Sequence, residues 1–580
     1  MSEKKQSQGK VPGHEPASAA PRTSRFSVTT VEVEGREESK VVELPSLEPA
    51  PWTQEVALEI VGTSVARSDA IEKVTGRARY TTDERPRAML HAVIVRAPIA
   101  RGRVTRLDLS KALQSPGVYG AITRDEIPAI RIDGLQLFDQ AIGYVNQPIA
   151  ALCAESIVAA KRALDLVEIE VEEMANALTA AQALAPDAPL VRPKGNTPRN
   201  MPRVNARGDV EQGLRDADVT IIREYRTPTA LHTALEPHGA VCDWIGDHLT
   251  VWESTQGIFN TRSDLASGLG LPLARVRVLK TYMGGGFGAK NGAPHSTFVA
   301  ALLSRKLNRP VSCILDREGE QTDSGNRPST IQRVTLGAKK DGTLTAIRLE
   351  ATIALGISGW LGGPAGMFQG MYRCDNVRTE ETFVYVNAGA MNSFRAPGYA
   401  EGAFALECAM DVLARELKID RLELRRRNYA EHDQDKKRAY SAKRLNECYD
   451  AGAKAFGWGM PVEQPASPTT RRGVGMSSVT WGAGGGPPAY ASVRLNRDGS
   501  IDVLTGSQDL GTGSRTILAQ IAAEQLGARM DDVRTVLGDT ERLPYAPNSW
   551  GSITTASVGP AIRVAAEEAR RALLDAAAGM

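Results

Sequence analysis

The chain has 580 residues, 42% of them hydrophobic and 24% charged, with a formal net charge of only +2, which suits a globular protein of several domains and gives no electrostatic handle for nucleic acid or an anionic membrane. Six cysteines with no CxxC pair argue against a zinc ribbon, an iron–sulfur cluster or a disulfide framework held by this chain. No apolar run approaches the ~20 residues that cross a bilayer, so cytoplasm is the expected compartment.

Residues 1–55 are rich in Lys, Ser, Pro and Glu and lack the apolar segment of a secretory signal, which predicts a disordered extension. Residues 56–180 alternate short apolar runs (76–80, 89–96, 102–109, 118–122, 147–154, 167–171) with short helices (110–114, 156–166), the pattern of a compact α/β domain. A Pro-, Ala- and Asn-rich stretch, 181–207, reads as a linker. Beyond it, 208–460 and 461–580 divide into two α+β domains in which one pattern recurs four times: apolar strand, loop of tiny or hydroxyl residues, amphipathic helix. The strands are 274–282, 381–386, 500–504 and 533–537. The loops are 284–290, 393–398, 506–514 and one ending at 549–557. The helices are 294–307, 400–417, one reaching about 526, and 558–577. The four units share no sequence, so the recurrence is topological.

A helix start offers unpaired N–H groups and a partial positive charge, and a loop of Gly, Ser and Thr lets a phosphate approach that backbone closely. Four such junctions point to a large polyanionic ligand, such as a pyrophosphate-bearing cofactor, held by backbone. The first junction has a rival reading. Gly284, Gly286 and Ala289 satisfy the dinucleotide pattern GxGxxG/A, with Asp316 ending the next apolar run. Against a nicotinamide site stands Phe287, a bulky residue where tight pyrophosphate wrapping favours small ones. His232, Glu236 and His238 suggest a metal set, but Pro237 breaks the helical face such ligation needs, so structural roles are expected.

Thr255-Gln256-Gly257, then Gly284-Gly285-Gly286-Phe287-Gly288-Ala289-Lys290, then Ser393-Phe394-Arg395-Ala396-Pro397-Gly398, in this order and spacing, resemble the molybdenum-site motifs of the xanthine dehydrogenase/aldehyde oxidase large subunit. Leu235-Glu236-Pro237-His238, Gln508-Asp509-Leu510-Gly511-Thr512-Gly513 and Gln520-Ile521-Ala522-Ala523-Glu524 fit the same pattern, and residues 71–175 are similar to that family's N-terminal hammerhead domain. The resemblance implies an α+β fold with a hammerhead-like domain followed by molybdenum-cofactor-binding domains. It also implies a molybdopterin cofactor in its cytosine dinucleotide form, and hydroxylation of aldehydes or N-heterocycles with water as oxygen source. Electrons would leave through an iron–sulfur subunit and an FAD subunit. Carried onto this sequence, Gln256 would hydrogen-bond the metal's oxo group, Phe287 and Gly288 (after Gly286) would sit beside the metal, and Arg395 would line the substrate side. Gln508, Gly511, Thr512, Gly513, Ser514, Thr554, Thr555, Ala556 and Ser557 would hold the pterin and its phosphates. No protein side chain ligates the metal.

Three departures qualify the resemblance. Purine-oxidising relatives have a glutamate where this chain has Asn291, and an aromatic where it has Pro397; both substrate-side changes favour aldehydes or other aromatic compounds over xanthine. Thr512 replaces the glutamine at the centre of the family's GQG, altering one pterin contact. The family's general base lies in a C-terminal Gly-x-Gly-Glu, and no such tetrapeptide occurs here. A water molecule needs a base to become a nucleophile, so the last domain is expected to be incomplete and the chain inactive alone, completed by a second chain or reduced to a cofactor-holding remnant. Glu524 and Glu567, within expected helices, read as surface or capping residues.

Overall fold

The computed structural model describes residues 25–33, 36–44, 52–53, 55–132, 134–359, 362–440, 442–482, 486 and 488–580. Strands β1 (Arg25–Val33) and β2 (Arg36–Leu44) pair antiparallel, so the stretch expected to be a disordered extension contains a hairpin. Its two nine-residue runs are rich in Val and Thr, which favour extended backbone.

The next unit comprises β3 (Leu90–Arg96), β4 (Gly102–Asp108), β5 (Val118–Ile122), β6 (Ala141–Ile142), β7 (Pro148–Ala154), helix α1 (Ile157–Leu164) and β8 (Glu168–Glu173). The run at 76–80 pairs with no strand and leads instead into a 3₁₀ turn at Thr81–Asp83. Every residue of β7 is buried, which explains its uninterrupted apolar text: both faces are covered. Ser156 caps α1 by accepting from the Ala159 amide.

This unit does not close on itself. Strands β9 (Arg203–Arg207) and β10 (Val219–Thr227) are followed by β11 (Gly239–Ile245), β12 (His248–Glu253), helix α2 (Ile258–Leu269), β13 (Val276–Leu279), α3 (His295–Leu307) and β14 (Val311–Ile314). The seven-stranded sheet runs β13-β12-β11-β14-β3-β7-β5. β14 joins β3 by parallel pairing of Val311 with Leu90 and Ser312 with His91. One core serves both sides: Leu90, Ile94 and Cys153 belong to the same cluster as Trp244, Val251, Phe298 and Leu303.

A five-stranded sheet, β9-β17-β16-β15-β10, is built from β9 and β10 with β15 (Thr330–Ala338), β16 (Leu344–Gly356) and β17 (Val377–Tyr385). Helix α4 (Arg317–Asp323) precedes it, α5 (Ala365–Gly370) links β16 to β17, and α6 (Tyr399–Leu417) packs across it. The expected linker therefore ends in an edge strand, β9, and also holds most of a short helix, Ala180–Ala183, capped by Thr179. The last layer is the sheet β18 (Ser492–Leu495), β19 (Ile501–Leu504), β20 (Val533–Val536), covered by the packed helices α7 (Ser514–Leu526) and α8 (Thr554–Ala578).

Three parallel crossovers organise the molecule: β12–α2–β13, β16–α5–β17 and β19–α7–β20. Ligand sites form beyond the carboxyl ends of such strands. The nicotinamide alternative fails on this topology. The helix after the 284–290 loop, α3, connects β13 to β14, which are separated in the sheet by β12 and β11, and Asp316 is spent capping α4 through the Gly319 amide at 3.0 Å.

Candidate active site

Gln256 lies in the turn from β12 into α2 and is 2% exposed. Its Oε1 accepts from the amides of Gly288 at 2.7 Å and Lys290 at 3.4 Å, and its Nε2 donates to the Ser549 carbonyl at 2.9 Å. Its backbone adds Gln256 N to Lys290 O at 2.6 Å and Ser549 N to Gln256 O at 2.9 Å. One residue thus ties three loops far apart in sequence, and its second Nε2 hydrogen makes no bond among the described residues. Gly286 is glycine by necessity, because a Cβ there would lie 2.6 Å from Gln256 Oε1 and 2.5 Å from Met283 Cε. Phe287 adopts φ +55°, uncommon for an aromatic residue, and is 42% exposed. Gly288, at φ +113°, passes so close to Ser393 that a Cβ would approach its carbonyl oxygen to 2.5 Å.

The second loop docks on the first. Arg395 N donates to Phe287 O at 2.8 Å, Asn392 Nδ2 to Ala289 O at 3.1 Å, and His232 Nε2 contacts Ser393 O at 2.6 Å. The Arg395 side chain is exposed, and its guanidinium forms no hydrogen bond or ion pair among the described residues. Arg327 occupies the role that might have tied Arg395 down. It donates to Phe394 O at 2.5 Å and Arg395 O at 2.7 Å and pairs with buried Glu401 at 2.7 Å. Asn291 donates to Gly288 O at 2.7 Å, while its buried Oδ1 has no partner. Pro397 is half-buried just before α6.

The third and fourth loops complete the cluster. Ser549 Oγ donates to Gln508 O at 2.8 Å, and Asn548 Nδ2 to Asn291 O at 2.9 Å. Gln508 and Ser507 are fully buried, yet Gln508 Oε1 and Ser507 Oγ have no partner among the described residues. Buried polar atoms without partners are costly and rare. Two, with Asn291 Oδ1, in interlocked loops are what a polar ligand would satisfy. Gly511 and Gly513 have φ +97° and +95°, and Thr512 Oγ1 lies 3.2 Å from Ser514 Oγ.

Here the structure corrects the expectation. The carboxylate of Asp509 fills the inside of the turn, accepting from Gly511 N at 2.8 Å, Gly513 N at 3.2 Å and Arg515 N at 3.0 Å. The amides of Leu510, Thr512 and Ser514 make no bond among the described residues. Asp509 escaped the sequence reading because an acid two residues before a glycine is also an ordinary turn former. A second correction concerns Thr554, Thr555, Ala556 and Ser557, which were expected in a loop but form the first turn of α8, where amides have no partner within the helix. Neither α7 nor α8 carries a side-chain cap, although Ser557 Oγ accepts from Gly486 N at 2.7 Å. The loops interlock and α7 packs on α8, while α3 begins at His295, which pairs with Asp323, and α6 at Tyr399, which packs on Trp481.

His238 pairs with Glu320 at 3.0 Å, and Glu236 accepts from Thr81 N, Gly284 N and Ser254 Oγ, so the suspected metal set is structural. No group of three potential ligands that could hold a metal occurs among the described residues. Lys290, also overlooked, is buried and donates to Glu236 O and Ser254 Oγ; burial pushes its ammonium down to about 8. Burial likewise pushes Lys280, bound to the Asp509 carbonyl, down to about 7.

Residues 194–429 and 451–580 match the molybdopterin cofactor-binding domain, and 75–175 the a/b hammerhead domain of aldehyde oxidase and xanthine dehydrogenase. The aldehyde oxidoreductase molybdenum-binding subunit PaoC of Escherichia coli is 34% identical over 525 residues, covering 86% of this chain and 69% of that subunit. A xanthine dehydrogenase molybdenum-binding subunit of Escherichia coli is 32% identical over 539 residues, covering 86% and 70%. The solved aldehyde oxidoreductase of Desulfovibrio gigas superposes with a TM-score of 0.78 at 27% identity, over 87% of this chain and 59% of that one. The chain therefore spans about three fifths of that enzyme's length. It belongs to the family of molybdenum-cofactor-binding subunits of aldehyde oxidoreductases and xanthine dehydrogenases.

Proposed function

We propose that the chain holds a molybdopterin cofactor in its cytosine dinucleotide form within a hydroxylase that oxidises aldehydes or aromatic N-heterocycles, with water as oxygen source. The reading is carried by the unpartnered buried atoms of Gln508, Ser507 and Asn291 inside loops that Gln256 locks together. Gln508, Thr512, Ser514 and the first turn of α8 would hold the pterin and its phosphates. Gln256, Phe287 and Gly288 would flank the metal. When bound, the cofactor supplies the two-electron oxidation.

The chain's own groups bind and orient. Gln256 offers its remaining Nε2 hydrogen at a position fixed by its other bonds. Arg395 presents an unpaired cation to the substrate's oxygen or ring nitrogen, an interaction that counts most where negative charge develops. Phe287 covers the site and excludes water. Asn291 and Pro397 remove the carboxylate and aromatic that would select a purine, which favours an aldehyde. Asp509 and Glu236 are engaged by backbone amides and Glu401 by Arg327, whereas Glu253, three residues before Gln256, is buried with neither oxygen hydrogen-bonded among the described residues and its carboxyl pushed up by burial. We assign the general base to a glutamate of the Gly-x-Gly-Glu kind, which these 580 residues do not contain, and electron exit to iron–sulfur and FAD subunits, in the cytoplasm.

Co-expression with candidate partner subunits, followed by molybdenum and released-cytidine analysis and by assays with an aromatic aldehyde and with hypoxanthine, tests this. Stoichiometric molybdenum and cytidine with aldehyde turnover is expected. Metal-free protein refutes the cofactor reading, and loaded protein inert to every substrate with that glutamate supplied would make it a cofactor-holding remnant.

A further inference from the structure

Residues 59–69 run along helix α7 as a strap. Three α7 side chains spaced four residues apart on one face hold it. Glu524 accepts from three successive amides, Glu59 at 3.2 Å, Ile60 at 2.7 Å and Val61 at 2.9 Å. Gln520 donates to the carbonyls of Ile60 at 3.1 Å and Thr63 at 3.4 Å. Thr516 Oγ1 accepts from Ser68 N at 3.0 Å. The strap ends where α7 begins, and there Arg67 reaches the glycine turn: its Nη1 donates to Gly511 O at 2.8 Å, while Nε and Nη2 fork onto Asp69 at 2.9 and 3.0 Å. Asp69 is 1% exposed and also pairs with Lys73 at 2.5 Å, so the fork is anchored.

A trans peptide is planar, with its C=O and N–H pointing to opposite sides. Fixing the Gly511 carbonyl therefore fixes the direction of the Thr512 N–H, a turn amide without a bond among the described residues. Asp509 holds the neighbouring amides from inside, and Arg67 holds the intervening carbonyl from outside. Without the outer contact, rotation of that peptide on the Gly511 side meets only the low steric barrier of a glycine at positive φ. The fully buried, unpartnered Gln508 Oε1 and Ser507 Oγ in the same loop mark it as ligand-facing.

We propose that Arg67 is a positioning residue: the strap delivers it to set the Gly511–Thr512 peptide in the orientation that presents the Thr512 N–H to a cofactor phosphate. This rests on the cofactor reading above. The test compares the full chain, purified with its cofactor, as wild type, Arg67→Ala, Arg67→Lys and Glu524→Gln. Two quantities are followed: hydrogen exchange at residues 511–514, and the half-life of bound molybdenum after dilution into mild urea. Losing one charge-assisted hydrogen bond predicts roughly tenfold faster exchange at Thr512 and roughly tenfold faster metal loss in Arg67→Ala. Partial rescue is expected in Arg67→Lys, whose single donor can still reach the carbonyl, and an intermediate loss in Glu524→Gln, which loosens the strap from its far end and serves if Arg67→Ala folds poorly. Wild-type exchange at Thr512 together with wild-type metal retention in Arg67→Ala overturns the proposal. Should the wild type itself carry no molybdenum, the cofactor reading falls, while exchange of the Gly513 amide, which Asp509 holds, still decides whether Arg67 orders the turn.

Discussion

Gly286→Ala probes the lock at the centre of the site. The added Cβ would lie 2.5 Å from Met283 Cε and 2.6 Å from Gln256 Oε1. The methionine end is flexible and can move, but the carboxamide is pinned at 2.7 Å to Gly288 N and 2.9 Å to Ser549 O. Turning it away leaves a buried donor and a buried acceptor unsatisfied, at about 1–3 kcal/mol each, so the loop cluster loses about 2–6 kcal/mol. Gln256→Ala removes both the obstruction and the bonds. In that background Gly286→Ala should cost less than about 1 kcal/mol, giving a coupling energy of roughly 1–5 kcal/mol in a double-mutant cycle. Native-state exchange of the Gly288 amide reads the opening free energy of this loop directly, and molybdenum content reads its consequence. Additivity of the two changes within about 0.5 kcal/mol would mean that Gln256 is not what Gly286 makes room for.

Three further outcomes follow from the same geometry. Arg395→Ala should lower turnover while molybdenum content and melting temperature stay close to wild type, because an exposed guanidinium without a partner contributes within about 0.5 kcal/mol to stability; loss of metal would show the residue to be misplaced. Arg327→Ala should behave in the opposite way, lowering the melting transition, since it strands buried Glu401 and frees the carbonyls of Phe394 and Arg395, a change of about 3–5 kcal/mol. Burial holds Lys280 near 7 against an ordinary 10.5, so between those values the unfolded chain binds a proton that the folded chain has released, and stability rises with pH. Below 7 both states are protonated and the trend stops. Urea midpoints from pH 7 to 9 should therefore climb for wild type relative to Lys280→Met; parallel curves would place the ammonium in contact with water.

The strand–loop–helix units were readable because each is local. Glycine-dense loops and runs such as Pro148–Ala154 declare themselves within a dozen residues. The fourth helix begins four residues earlier than expected because Thr554, Thr555 and Ser557 look like loop residues, while Pro560 is tolerated within the helix. What the text could not show is long-range. Glu524 is an unremarkable helical acid until the amides of residues 59–61, more than 460 positions away, are found on it. Gln256 looks like any loop glutamine until Ser549 arrives. Arg395 stays clear of the nearby acids because the fold sets Arg327 on Glu401 and Arg425 on Asp411.

Leu90 and Val311 sit side by side across the junction of two segments that match different domain families. A fragment beginning after residue 180 would bare the outer edge of β14 together with half of an apolar interior, an open template for another chain. The hammerhead segment made by itself would bare the complementary edge of β3. The boundary between these segments is one of sequence likeness that the folded core does not respect, and neither side is expected to stay monomeric once cut away.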